Sequence, residues 1–135
     1  MGADPGGPRR LSARRAQGRA QDAHELGREG ERLAARHLAA QGYRVVGRGF
    51  RTRRGELDLV CRRGDRLLVV EVKTRRSDRW GTPADAVNAG KWRRLRAAAA
   101  EYRTWTGWRG ELGFAIVAIT MTAEGPRVEL LEDQA

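Results

Sequence analysis

In the stretch GELDLVCRRGDRLLVVEVKTR, residues 55–75, three charged residues interrupt two apolar runs: Asp58, Glu71 and Lys73. Gly64-Asp65 is a Gly-first pair of the kind that closes a two-residue type II′ hairpin. With that pair as the loop, Asp58 falls opposite Glu71, Glu56 opposite Lys73 and Val60 opposite Val69. Side chains alternate faces along a strand. One face therefore gathers Glu56, Asp58, Glu71 and Lys73, and the other Leu57, Leu59, Cys61, Leu68, Val70 and Val72.

Two chemistries suit that charged face. Opposite charges across a hairpin form a solvated face stabilised by roughly 0.2–1 kcal/mol per pair, with Lys73 the partner of Glu56. Asp58 against Glu71, however, is a like-charge pair, which a plain sheet avoids and a bound cation neutralises. Carboxylate oxygens about one strand spacing apart suit Mg²⁺ or Mn²⁺ better than zinc. Residue choice adds a hint. Of 27 basic residues only Lys73 and Lys91 are lysine, which leaves 25 arginines. In so arginine-biased a chain, a lysine suggests work for a compact ammonium that a planar guanidinium cannot do.

Elements must position these groups. Asp22 and Glu25 form a capping box opening a helix that runs to about Gln41 and stops at Gly42. Its inward arc is Leu26, Gly27, Gly30, Leu33, Ala34 and Leu38. Glu31 lies at the edge of that arc, by default a surface acid, and otherwise able to reach the rim of the sheet. Residues 43–53 read as a strand leading into the hairpin. A basic loop, RRSDRWGTP, carries Arg75, Arg76, Arg79 and Trp80. Thr82 and Asp85 make a second capping box, with Pro83 at the first helical position. That helix, about 83–105, turns Val87, Leu95, Ala98, Tyr102 and Trp105 inward, with Lys91 inside the same arc. Residues 112–122 read as a buried strand and 126–133 as an edge strand. The order is α-β-β-β-α-β-β, and the second helix is long enough to cross over and set the last strands into a mixed sheet.

The 135 residues suffice for one domain, 22–135, behind a disordered basic tail, 1–21. A net charge of +10 points to a polyanionic partner, most simply nucleic acid. The tail lacks the apolar core of a secretory signal, and no apolar run approaches a membrane span. Cys61, the lone cysteine, permits no disulfide within the chain, which suits a reducing cytoplasm. His24 and His37 stand apart from any metal-ligand spacing.

An acid on the first helix, then Asp and Glu-x-Lys on adjoining strands, resembles the PD-(D/E)xK nuclease pattern. More narrowly, GREGERLAARHLAAQGY, RRGELDLVCRRGDRLLVVEVKTR, WGTPADAVNAGKWRRL and GFAIVAI resemble the bacterial UPF0102, or YraN-like, family over about residues 24–120. That family is predicted to be nuclease-like and similar to archaeal Holliday-junction resolvases. The resemblance implies an α/β, restriction-endonuclease-like mixed sheet flanked by helices. It implies a metal site of Asp58, Glu71 and Glu31 holding Mg²⁺ or Mn²⁺, with Lys73 completing the catalytic set. Lys91 matches the lysine opening the family's KxxRL helix. This chain departs from the pattern at Ala115, where members commonly carry Asp, and in GRGFR, where an Asn is often found.

The expected activity is metal-dependent hydrolysis of DNA phosphodiesters in branched or flapped structures, with Lys73 orienting the attacking water. Lys91, Arg75, Arg76 and Arg79 are expected to hold the nucleic-acid backbone without reading its sequence. A non-catalytic nucleic-acid-binding protein of the same fold is the competing reading, and RNA the competing substrate. No membrane partner is expected, and a homodimer is admitted.

Overall fold

Gly64 turns the chain at φ +60°, a left-handed value that glycine adopts without strain. The two strands it joins pair in the register that this turn dictates, Arg63 with Arg66, Cys61 with Leu68 and Leu59 with Val70. The computed structural model describes the backbone of residues 7–76 and 87–133, and side chains for 22–76 and 87–133. Its elements are α1 (Gly7–Ala40), β1 (Arg44–Thr52), β2 (Gly55–Arg63), β3 (Arg66–Arg75), α2 (Ala89–Thr106), β4 (Glu111–Thr122) and β5 (Gly125–Glu132). The five strands form one sheet in the order β1-β2-β3-β4-β5. All neighbours are antiparallel except β3 and β4, which run parallel because α2 carries the chain back between them.

The two helices cover opposite faces. Ala34 and Leu38 of α1 close over Leu59, Cys61, Leu68 and Val70, joined by Ala115, Val117 and Ile119 of β4. Leu95, Ala98 and Ala99 of α2 close over Val60, Leu67 and Val69 on the other side. Residues 115–120 of β4 are all buried, as befits an inner strand covered on both faces. Ala115 is part of the α1-side core, fully buried among apolar neighbours.

Several expectations are corrected. The backbone is helical from Gly7, not from Asp22, so Asp22 and Glu25 lie within α1 and cap nothing. Residues 9–21 are rich in arginine, alanine and glutamine, whose helix propensity carries the helix back through them. The second helix starts at Ala89 rather than 83, with Asn88 as its N-cap accepting from the Lys91 amide at 3.0 Å. The Thr82–Asp85 box, Pro83, Trp80 and Arg79 lie outside the described residues. Leu57 joins the α2-side cluster with Val60 instead of following Leu59 and Cys61 under α1. The strict alternation of β2 thus breaks at Asp58. Trp105, expected inward, is 75% exposed. The last turn of α2 reaches β1, the outermost strand, and among the described residues no further strand of the sheet lies beyond to cover the indole.

Candidate active site

Asp58 marks the point where β2 and β3 part. Their backbone ladder ends at Leu59–Val70, one step before Asp58 and Glu71 would face each other. The Val72 amide, which a longer ladder would have occupied, donates instead to Asp58 Oδ2 at 2.7 Å. The sequence-based expectation of a directly opposed Asp58–Glu71 pair is corrected accordingly: a side chain takes the place of a strand contact. The like-charge pressure persists. Burial is the main cause that pushes the Asp58 carboxyl up to about 6 from its ordinary 3.8, with Glu31, Glu56 and Glu71 adding repulsion and the Val72 amide opposing it. Acids from three elements therefore bear on one half-buried carboxylate.

Glu31 reaches this group because α1 sits very close to β3. A side chain at Gly30 would run into the Thr74 hydroxyl, so only glycine permits the approach. The next residue, Glu31, then lines an open cleft of about 300 Å³ with Asp58, Val72, Lys73 and Thr74. Gly30 appears in the sequence as one of several inward positions. A glycine inside a helix costs about 1 kcal/mol against alanine, and that cost is the available clue to a close contact.

On the other face, Glu71 lines a smaller pocket with Glu56, Lys91, Arg94 and Leu95, about 70 Å³ in volume. Lys91 arrives there because the Asn88 cap fixes the first turn of α2. Arg94 follows on the same side of the helix, and nothing in the sequence singled it out from its arginine neighbours. Glu56 was expected opposite Lys73. It instead lies 4.0 Å from the exposed Arg51 guanidinium across the β1–β2 hairpin.

Lys73 is exposed and lines the Glu31–Asp58 cleft. Arg75 is the last residue of β3, half-buried, and one of its guanidinium nitrogens is buried with no hydrogen-bond partner among the described residues. Arg76 is exposed, but it lines a groove with Asp22, Glu25 and Glu29 of α1, acids that compete with any phosphate for it. Arg79 lies outside the described residues.

The donors fit a hard divalent cation. Asp58 and Glu31 offer carboxylate oxygens to one cleft, whereas Glu71, expected with them, lines the pocket on the other face; none of the three has an ion-pair partner among the described residues. No three acidic, histidine or cysteine side chains among the described residues form a ready-made metal cage. Mg²⁺ does not require one, since it keeps several waters and takes one or two carboxylates plus substrate phosphates.

An α/β domain with a mixed sheet, two covering helices and an acidic cluster where the central strands separate is the class that fold and site define. The chain belongs to the uncharacterised protein family UPF0102, whose model matches residues 30–120, from the Gly30–Thr74 contact to the end of the buried β4 run. A UPF0102 protein of Anaeromyxobacter dehalogenans is 48% identical over 105 residues, 77% of this chain and 78% of that protein. One from Syntrophomonas wolfei is 47% identical over 96 residues, covering 70% and 84%. One from Rhodococcus opacus is 44% identical over 110 residues, covering 78% and 89%. No helix among the described residues is long and apolar enough to cross a membrane.

Proposed function

We propose that this protein is a metal-dependent endonuclease that hydrolyses phosphodiesters of DNA, with branched or flapped structures as substrates. The observation that carries this reading is Asp58, a half-buried carboxylate crowded by Glu31, Glu56 and Glu71 and answered by a single backbone amide. Such a cluster is poorly suited to stabilising a fold and well suited to holding a cation. The net charge of +10 supports a polyanionic substrate.

Asp58 and Glu31, which share the cleft, would hold Mg²⁺ or Mn²⁺ together with water and substrate phosphate, and the ion would supply charge compensation on the phosphate and acidification of water. Lys73, which lines the cleft with Glu31 and Asp58, orients the attacking water and offsets charge that builds on the phosphate oxygens. Water adds at phosphorus and one ester P–O bond breaks, leaving one phosphate-bearing end and one hydroxyl end. Lys91 and Arg94 hold the backbone at the neighbouring pocket. Because these contacts read shape and charge, base sequence plays no part in the choice of substrate.

A four-way junction, a flap, a single strand and a plain duplex incubated with Mn²⁺ test this reading. Wild-type protein should cut the branched substrates, and Asp58→Ala should lose both cleavage and the calorimetric metal signal. A second reading, a non-catalytic nucleic-acid binder, draws on Ala115, which is apolar and buried where the family resemblance implies an acid. Binding of the junction by the wild type without cleavage under any divalent cation would favour that reading.

A further inference from the structure

Among the described residues only two large apolar side chains are exposed, Val46 and Trp105, and Trp105 is by far the more open at 75%. A single exposed apolar side chain is ordinary. This one has a fixed backing. The Phe50 ring lies 5.5 Å from the indole, tilted by 39°, and is itself held edge-on by Tyr102 at 5.1 Å. The indole is therefore supported from behind and open in front. It forms one wall of a groove on α2 of about 380 Å³, lined also by Ala100, Glu101 and Thr104.

The surroundings are basic. Phe50 stands on β1, and the hairpin that follows exposes Arg51, Arg53 and Arg54 before reaching Gly55 and Glu56 of the Lys91 pocket. A row of cations thus runs from the aromatic cluster to the proposed active site. Lys91 in the first turn of α2 and Trp105 in the last lie about 20 Å apart along the helix axis, roughly six base steps of a nucleic acid.

We infer that Trp105, braced by Phe50 and Tyr102, is a stacking platform for an unpaired nucleobase of the same nucleic acid, whose phosphates are held by Arg51, Arg53 and Arg54. The inference rests on the nucleic-acid reading above and adds what it lacks, a means of preferring substrates that contain unpaired bases. Base–aromatic stacking is sequence-tolerant because every base has a π-face. Glu101, the acid lining the groove, favours a base over a phosphate there. A base carries no formal charge for the carboxylate to repel, and its exocyclic amine is a donor the carboxylate can accept from.

The test is binding without cleavage, measured in EDTA by fluorescence anisotropy on two labelled probes, a blunt duplex and the same duplex with a single-stranded overhang. Trp105→Ala should weaken binding to the overhang probe by about tenfold, while the blunt duplex changes less than about twofold. Trp105→Phe, which keeps a ring, should recover most of the loss, and thermal melts of both variants should match the wild type. Equal loss on both probes, or no loss on either, overturns the platform and leaves the nuclease reading standing. Failure of the wild type to bind either probe overturns both. A shift in sedimentation from dimer to monomer in Trp105→Ala identifies the patch as a self-association surface and overturns the platform as well.

Discussion

The cleft under α1 and the smaller pocket under α2 draw on residues two apart on one strand, Lys73 and Glu71, yet they balance charge differently. Under α2, Glu56 and Glu71 line one pocket with Lys91 and Arg94, two acids with two bases. Under α1, Glu31 and Asp58 share theirs with one exposed lysine. Burial is the main cause that pushes the Asp58 carboxyl up to about 6, and Glu56 and Glu71 add repulsion from the far side. Under the proposed function this difference is a division of labour: the α1 side would be the reacting centre and the α2 side would grip the substrate.

The two lysines offer the sharpest way to break that division. Lys73→Arg should cut the cleavage rate by about 100-fold or more, the scale expected for loss of a positioned acid–base or oxyanion partner, while binding stays within about twofold. Lys91→Arg should keep most of the rate, and Lys91→Ala should lower the salt dependence of binding by roughly 0.9 in slope, one phosphate contact. Single-turnover cleavage and binding isotherms at several salt concentrations measure both. If the two arginine variants behave alike, the pockets do not differ in role.

A smaller effect should follow from moving the α1 side away from the sheet. Gly30→Ala forces a methyl group against Thr74 and should destabilise the fold by about 1–3 kcal/mol, an overpacking cost. Gly27→Ala is the control, because its added carbon meets nothing within 4 Å and should leave stability unchanged or slightly raised. Denaturant melts of the two variants decide it. Equal behaviour would mean that the helix does not depend on the Gly30 contact to bring Glu31 to the cleft.

The smallest effect concerns pH in the metal-free protein. Asp58 binds its proton more tightly folded than unfolded, since its value rises from 3.8 to about 6. The group therefore costs stability above about 6, and that cost fades as pH falls through this value toward 3.8. Asp58→Asn removes the charge and can still accept from the Val72 amide. It should be more stable than the wild type near neutral pH by on the order of 1 kcal/mol, after screening of a half-exposed group, and the two should converge in acid. Thermal melts in EDTA across that range measure it. A less stable Asp58→Asn at neutral pH would make Asp58 a structural carboxylate and erase the contrast between the two sides.

Much of this arrangement was legible in the chain itself. Gly64-Asp65 closes a two-residue loop, and a loop that short leaves one register for the strands it joins, so the pairing of Leu59 with Val70 and Cys61 with Leu68 follows from local geometry. The element order followed from period and punctuation, and the crossover followed from the length of the helix before β4. Asp58, Glu71 and Lys73 were visible as charges in places where a core tolerates few, whereas Glu31, by spacing an ordinary edge acid, was singled out only by the family resemblance. What tertiary structure decided is where that local pattern stops. The ladder ends at Leu59–Val70, and the Asp58 side chain takes the Val72 amide that a longer ladder would have used. Leu57 leaves the face that its spacing assigns to it and joins the cluster under α2. Trp105 fits the apolar arc of its helix, but burial requires a neighbour, and at the edge of the sheet no further strand among the described residues provides one. Spacing along the chain fixes the direction in which a side chain points from its own element, and the neighbours it meets there are set by how the elements are stacked.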